Sequence, residues 1–255
     1  MRVIAFANQK GGVGKTTTAV NTSVLLAAHG LRVLLIDLDP QGNTTSSLGI
    51  DKSELTQTMY DLLIDDASVE DVAIATGRVQ VDLLPATPML AAAEVDLVSV
   101  VHRERRLKRS LTPFASKYDL AIIDCPPSLG LLTVNGLTAA DHVVIPIQCE
   151  FLALEGVSQL IATVDLVKRQ LNPELDVLGV LMTMFDARTN LSSSVVEEVR
   201  RFFPDRIFTT IVPRSVRLAE APSYGQSIDE YDPGSRGGHA YRAFTKELIE
   251  RLGLG

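Results

Sequence analysis

The stretch "RVIAFANQKGGVGKTTTAV" constrains the fold more than any other part of this chain. An apolar run, Arg2–Ala7, meets a glycine-rich turn, and a helical pattern, Lys15–His29, follows at once. Glycines let backbone N–H groups turn inward where Cβ atoms would block the approach. A helix that opens directly after them adds the partial positive charge of its first turn. Such a start demands a strand, an anion cradle and a crossover helix, in that order. The expected cradle is Gly11, Gly12, Val13, Gly14, Lys15, Thr16 and Thr17. Lys15 is expected to bridge the β- and γ-phosphates of a nucleotide, and the Thr16 hydroxyl to ligate Mg²⁺.

The rest of the chain repeats the alternation. Arg32–Asp37, Val79–Pro85, Leu120–Asp124, His142–Gln148, Val177–Met184 and Ile207–Val212 read as further strands. Several, such as "VLLID" and "HVVIPI", are apolar without a break, which suits a parallel sheet covered on both faces. Helical patterns lie at about Ala92–Lys117, Leu131–Ala139, Leu154–Leu171, Ser192–Phe203 and Gly237–Leu252. The last puts Tyr241, Phe244, Leu248 and Leu252 on one face, as a core-packing helix does. The expected fold is α/β, a doubly wound and mostly parallel sheet flanked by helices, of the P-loop NTPase type. No repeat or Pro/Gly/Ser linker interrupts residues 1–255, so one domain is expected.

Two acidic motifs accompany the loop. "YDLAIIDCPPS" ends an apolar strand in Asp124, a carboxylate able to hold Mg²⁺ through its water shell. "LLIDLDPQGNTT" puts Asp37 and Asp39 at another strand end, with both side chains on one side if the strand continues. Carboxylates beside a triphosphate repel it unless a metal or water intervenes. Asp39 is therefore expected to orient and polarise an attacking water, and Asp37 to belong to the Mg²⁺ surroundings.

Lys10 opens the loop at a position that ordinary phosphate loops leave to almost any residue. With "KGGVGKTT", "LLIDLDPQGN", "IIDCPPS", "MTMFDARTNLSSSVVEEV" and "VPRSVRLAEAPSYGQSI", the chain resembles the ParA/Soj-type partition ATPases, within the ParA/MinD group with a deviant Walker A loop. The resemblance covers nearly the whole chain. It implies that Lys10 reaches the phosphates of ATP bound to a second copy, so that ATP joins a homodimer and hydrolysis separates it. It implies a catalytic set of Lys10, Lys15 and Asp39, and an adenine bordered by Pro213 and Arg214. It also implies nonspecific binding of double-stranded DNA by the ATP-bound dimer, with Arg188 and Arg217 as contacts and Arg200, Arg201 and Arg206 behind them. A ParB/Spo0J-type centromere-binding protein would stimulate turnover.

Charge fits this without proving it. The chain carries a net −7, which argues against wholesale coating of nucleic acid, yet residues 181–255 hold ten basic and ten acidic residues, nine of the basic ones arginine. "RERRLKR", Arg103–Arg109, lacks interleaved aromatics and reads as a solvated helix face. Only Cys125 and Cys149 are present, as expected of two small buried residues in a reducing compartment. There is no signal-peptide pattern and no apolar run of about 18 residues, so a cytoplasmic protein with no membrane partner is expected, and the resemblance implies that it is nucleoid-associated. Two other functions share the motifs. A membrane-bound regulator of the MinD kind would want a basic amphipathic tail, which "RLGLG" does not supply. An electron-transfer ATPase of the nitrogenase-iron-protein kind would need cysteines placed to hold a cluster between subunits.

Overall fold

A computed structural model of the protein describes residues 1–151 and 153–254; Gly255, the end of "RLGLG", lies outside the described residues. Eight strands form one sheet: β1 (Arg2–Phe6), β2 (Val33–Asp37), β3 (Ile74–Ala75), β4 (Val81–Leu84), β5 (Leu120–Asp124), β6 (His142–Gln148), β7 (Asp176–Phe185) and β8 (Ile207–Pro213). Their order is β3-β4-β2-β5-β1-β6-β7-β8, parallel throughout except for the β3–β4 edge pair. The helices are α1 (Lys15–Ala28), α2 (Asn43–Ser47), α3 (Met59–Ile64), α4 (Val69–Val72), α5 (Ala93–Asp96), α6 (Arg106–Leu111), α7 (Leu131–Ala139), α8 (Glu155–Gln170), α9 (Asn190–Phe202), α10 (Val216–Glu220), α11 (Ile228–Tyr231) and α12 (Arg236–Leu252).

Unbroken apolarity in the strands becomes two cores. Alternate side chains point to opposite faces. Val3, Ala5, Leu34, Ile36, Ala121 and Ile123 pack with α3, α6 and α7 on one side. Ile4, Phe6, Val33, Leu35, Leu120 and Ile122 pack with α1 and α12 on the other. The apolar face expected of the final helix is inside: Tyr241, Phe244, Leu248 and Leu252 are all buried. Phe244 stands edge-on to Phe6 and to Phe208, with ring centroids 6.5 and 4.8 Å apart.

Three local expectations are corrected. The single helix expected over Ala92–Lys117 is broken into α5, two 3-10 turns, α6 and a further 3-10 turn at Thr112–Phe114. Its Val98–Val101 stretch, three β-branched valines and a serine, is a weak helix former, His102 adopts a left-handed φ of 56°, and Pro113 removes a backbone donor. Within "RERRLKR", Arg106 is not on a solvated face. It is 7% exposed, donates to the Leu63 carbonyl at 2.7 Å and pairs with Asp66. Strand β4 starts at Val81 rather than Val79, because Gln80 turns the chain with a φ of 64°. The two residues of β3 are too few to carry a period legible in sequence.

Removing the ring that joins α12 to the sheet should be costly. Phe244→Ala is expected to lower unfolding free energy by about 3–5 kcal/mol, read from urea denaturation. A loss below about 1 kcal/mol would mean that α12 is not anchored by this cluster.

Candidate active site

Strand order decides which side chains meet. Because β5 lies between β1 and β2, the loop after β1 opens onto the carboxyl ends of both acidic strands. Asp37 and Asp124 are register partners on β2 and β5, and both are fully buried. Adjacent strands run about 4.8 Å apart, so the two carboxylates are close neighbours in the interior.

Threonines hold this pair. Asp37 Oδ2 accepts from the backbone N–H and the hydroxyl of Thr45, at 2.8 and 2.7 Å. Asp124 Oδ2 accepts from the Thr16 and Thr44 hydroxyls, at 2.6 and 2.7 Å. Burial pushes both carboxyl pKa values up. Asp37 rises to about 8, with the Asp124 charge adding to the effect, and Asp124 to about 6, against the two hydroxyl bonds. Asp124 Oδ1 is buried and has no hydrogen-bond partner. An unmatched carboxylate oxygen beside a threonine hydroxyl fits Mg²⁺, a hard cation that takes one or two protein oxygens and keeps waters.

The loop fits a phosphate. Gly12 and Gly14 adopt φ of 72° and 90°, in the region that penalises a Cβ. Gly14 is the N-cap of α1 and supplies no side-chain cap, so the first-turn N–H groups stay available to an anion. Asn8 ties the loop entry down, donating to the Pro146 carbonyl at 2.7 Å and accepting from Lys10 N at 3.0 Å. Thr183 donates to the Val13 carbonyl at 2.8 Å. Lys15 is buried, and burial lowers its pKa while Asp124 pulls the other way. Its ammonium donates to the Lys10 carbonyl at a long 3.3 Å. Lys10 itself is exposed, and its ammonium makes no hydrogen bond or ion pair among the described residues.

Asp39 lies beyond the end of β2, because the strand does not continue past Asp37. It reaches the opening through a turn in which Oδ1 accepts from Gln41 N at 2.9 Å. Gly11, Gly12, Gly14, Lys15, Thr16, Thr17 and Asp39 line one concavity, together with Pro127 and Met184. A second, more apolar cleft adjoins it through Gly14, Thr17 and Met184, and Val212, Pro213, Arg214 and Leu218 line it. Pro213 and Arg214 therefore sit beside the loop, and the Arg214 guanidinium pairs with Glu150 at 2.8 Å. Met184 holds a φ of 53°, rare for a side-chain-bearing residue, where the two clefts join.

The arginines of the C-terminal part are distributed rather than clustered on the site. Arg188 is bidentate to Asp186, at 2.9 and 2.7 Å, and Arg217 bonds Glu220 at 2.9 Å with Asp232 at 3.5 Å. Arg201 pairs with Glu197 and Arg206 with Asp176, while Arg200 is exposed on α9. Thr44, Thr45, Asn8, Thr183 and Met184 are the site residues that sequence reasoning missed. The only signal was the "NTT" after "LDPQG", and it does not say which carboxylate each hydroxyl reaches.

A sequence-family model described as an AAA domain matches residues 1–177. The sporulation initiation inhibitor protein Soj of Bacillus subtilis (strain 168) is 57% identical, covering 97% of this chain and 98% of that protein. The chromosome partitioning protein ParA of Myxococcus xanthus is 52% identical, covering 98% of this chain and 88% of that protein. A Mycobacterium smegmatis structure described as cobyrinic acid a,c-diamide synthase superposes with a TM-score of 0.88 at 40% identity, covering 99% of this chain and 96% of that one. It was solved with ADP and magnesium and also with an ATP analogue and magnesium.

The acid pair gives a signed pH effect. Both carboxyls hold a proton more tightly folded than unfolded, so their contribution to stability is full below about pH 4. It is lost as pH rises through the folded values of about 6 and about 8. Asp37→Asn keeps an acceptor for Thr45 and removes the charge. In metal-free buffer it should raise Tm at pH 8 and leave it unchanged near pH 4. Equal shifts at both pH values would show that charge does not couple the pair.

Proposed function

This chain belongs to the Soj/ParA family of chromosome partitioning proteins, and on that premise we propose that it is an Mg²⁺-dependent ATPase that works as a DNA-segregation switch. In this reading ATP assembles a homodimer on nucleoid DNA, without sequence preference, and hydrolysis stimulated by a ParB/Spo0J-type partner releases it. The observation that carries the reading is one corner of the site. There an uncapped helix, a buried lysine with a single weak partner, and an Asp124 oxygen unmatched among the described residues converge beside an exposed Lys10 that has no partner among them.

The residues divide the work. Backbone N–H groups of Gly11–Thr17 would cradle the phosphates, with Lys15 on the β- and γ-oxygens. Thr16 and Asp124 would hold Mg²⁺, which when bound neutralises charge on the transferring phosphoryl group. Asp37, whose Oδ2 is taken up by Thr45, would act on the metal's surroundings through charge and by fixing α2. Asp39 reaches the opening with one oxygen held by Gln41 and would orient the attacking water. Pro213, Arg214 and the strained Met184 would border the adenine. Lys10, supplied by the second copy, would place a positive charge where negative charge develops, so that the same cation serves assembly and chemistry. Arg188 and Arg217 would exchange their carboxylate partners for DNA phosphates, which makes binding salt-dependent.

Other readings have less support. The apolar face of α12 is buried in the core rather than free to lie on a membrane, and no described helix is long and apolar enough to cross one. Cys125 and Cys149 are buried, and burial raises both thiol pKa values. Neither offers a thiolate to a surface cluster.

Two variants test the switch. Lys10→Ala should bind ATP as the parent does and remain a monomer with a slowly hydrolysed analogue, read by light scattering; a full-strength dimer would remove Lys10 from assembly. Asp39→Ala should bind ATP and stay on DNA, with turnover reduced about 10²-fold or more; parental turnover would take Asp39 out of the chemistry.

A further inference from the structure

The run Arg103–Arg109 lines no part of the nucleotide concavity; Arg103 pairs with Glu104 and Arg106 with Asp66, which leaves three cations of the run without a carboxylate among the described residues. Several exposed arginines elsewhere have carboxylate partners: Arg32 has Asp119, Arg188 has Asp186, Arg206 has Asp176 and Arg214 has Glu150. In contrast, Arg105 and Arg109 form no ion pair or side-chain hydrogen bond among the described residues. Lys108 reaches only the neutral Asn172 amide, at 3.2 Å. Arg105 ends the 3-10 turn that leads into α6, and Arg109 lies on α6 itself. His102, Arg105, Lys108, Arg109 and Thr112 line one concavity, and Val101 belongs to its wall.

That concavity continues into exposed apolar surface. Leu90, Ala93 and Leu97 turn inward and are buried, while Val95, Val98 and Val101 are 72%, 58% and 76% exposed. Arg103 Nη1 donates to the Val98 carbonyl at 2.8 Å, which fastens the valine segment to the turn that opens the basic pocket. Grouped exposed valines beside unpaired cations ask for a partner carrying both complements.

We infer that the surface formed by Val95, Val98, Val101, Arg105, Lys108 and Arg109 is a docking site for an acidic, apolar-bearing polypeptide segment of another protein. Acidic side chains of that segment enter the basic pocket, and its apolar side chains cover the valines. A DNA backbone or a free phosphate would satisfy the cations and leave the valines in water, so the peptide accounts for more of the surface. None of these residues lines the nucleotide concavity, so the site adds a contact beyond the proposed ATP and DNA functions.

The test is panning of a displayed random 15-residue peptide library on the full chain loaded with Mg-ADP, with enriched peptides resynthesised and measured by fluorescence anisotropy. Enriched peptides should carry several Asp or Glu residues among Leu, Ile, Val or Phe. Binding should weaken at least tenfold in Arg105→Glu/Arg109→Glu and, separately, in Val98→Ser/Val101→Ser, with circular dichroism and ADP binding unchanged in both. No enrichment, enriched peptides without acids, or affinity indifferent to either variant would overturn the inference. It would equally be overturned if the arginine variant lost binding to a DNA duplex or to pyrophosphate while the valine variant lost nothing, since the surface would then be a phosphate contact.

Discussion

The structure is organised around two buried carboxylates that the sheet forces to be neighbours. Asp37 and Asp124 meet because β5 is inserted between β2 and β1, and hydroxyls from Thr16, Thr44 and Thr45 satisfy one oxygen of each. Burial of uncompensated acid is unfavourable, and folds retain it where a cation or a reaction uses it. Here the threonines come from the first turn of α1 and from α2, so the acid pair also fixes both walls of the opening. The phosphate loop is thus positioned from below by the carboxylates and from the side by Asn8 and Thr183.

Charge on the outside follows a different rule. In a chain of net charge −7, most C-terminal arginines are held by nearby acids, so a basic composition does not become a basic face. A ligand that claims Arg188 or Arg217 must displace a carboxylate, and the net gain is the difference between two ionic contacts. Lys10 differs, because it is exposed and its ammonium has no partner among the described residues.

Much of this was legible in the sequence. Glycines flanked by an apolar run and a helical pattern specify the loop locally, and Leu120–Asp124, His142–Gln148 and Leu131–Ala139 occupy the boundaries their apolar patterns predict. The pattern failed where local preference and long-range packing part. The segment around Ala92–Lys117 reads as helix, but its β-branched residues and Pro113 break it. The threonine supports were hidden because hydroxyl-to-carboxylate pairing spans 80 residues between Thr44 and Asp124, and no spacing rule encodes it. Asp39 illustrates the middle case: its nearness to the site was readable from the motif, while the turn that delivers it was not.

The parity of β2 and β5 limits how such a chain can change over evolutionary time. Side chains alternate, so a one-codon insertion between Val33 and Asp37, or between Leu120 and Asp124, would send one acid to the opposite core and leave its threonine facing a methyl group. Two-codon changes keep the phase but push the acid past the rim. Length variation in relatives should therefore accumulate in the connections, and these two strands should behave as fixed rulers.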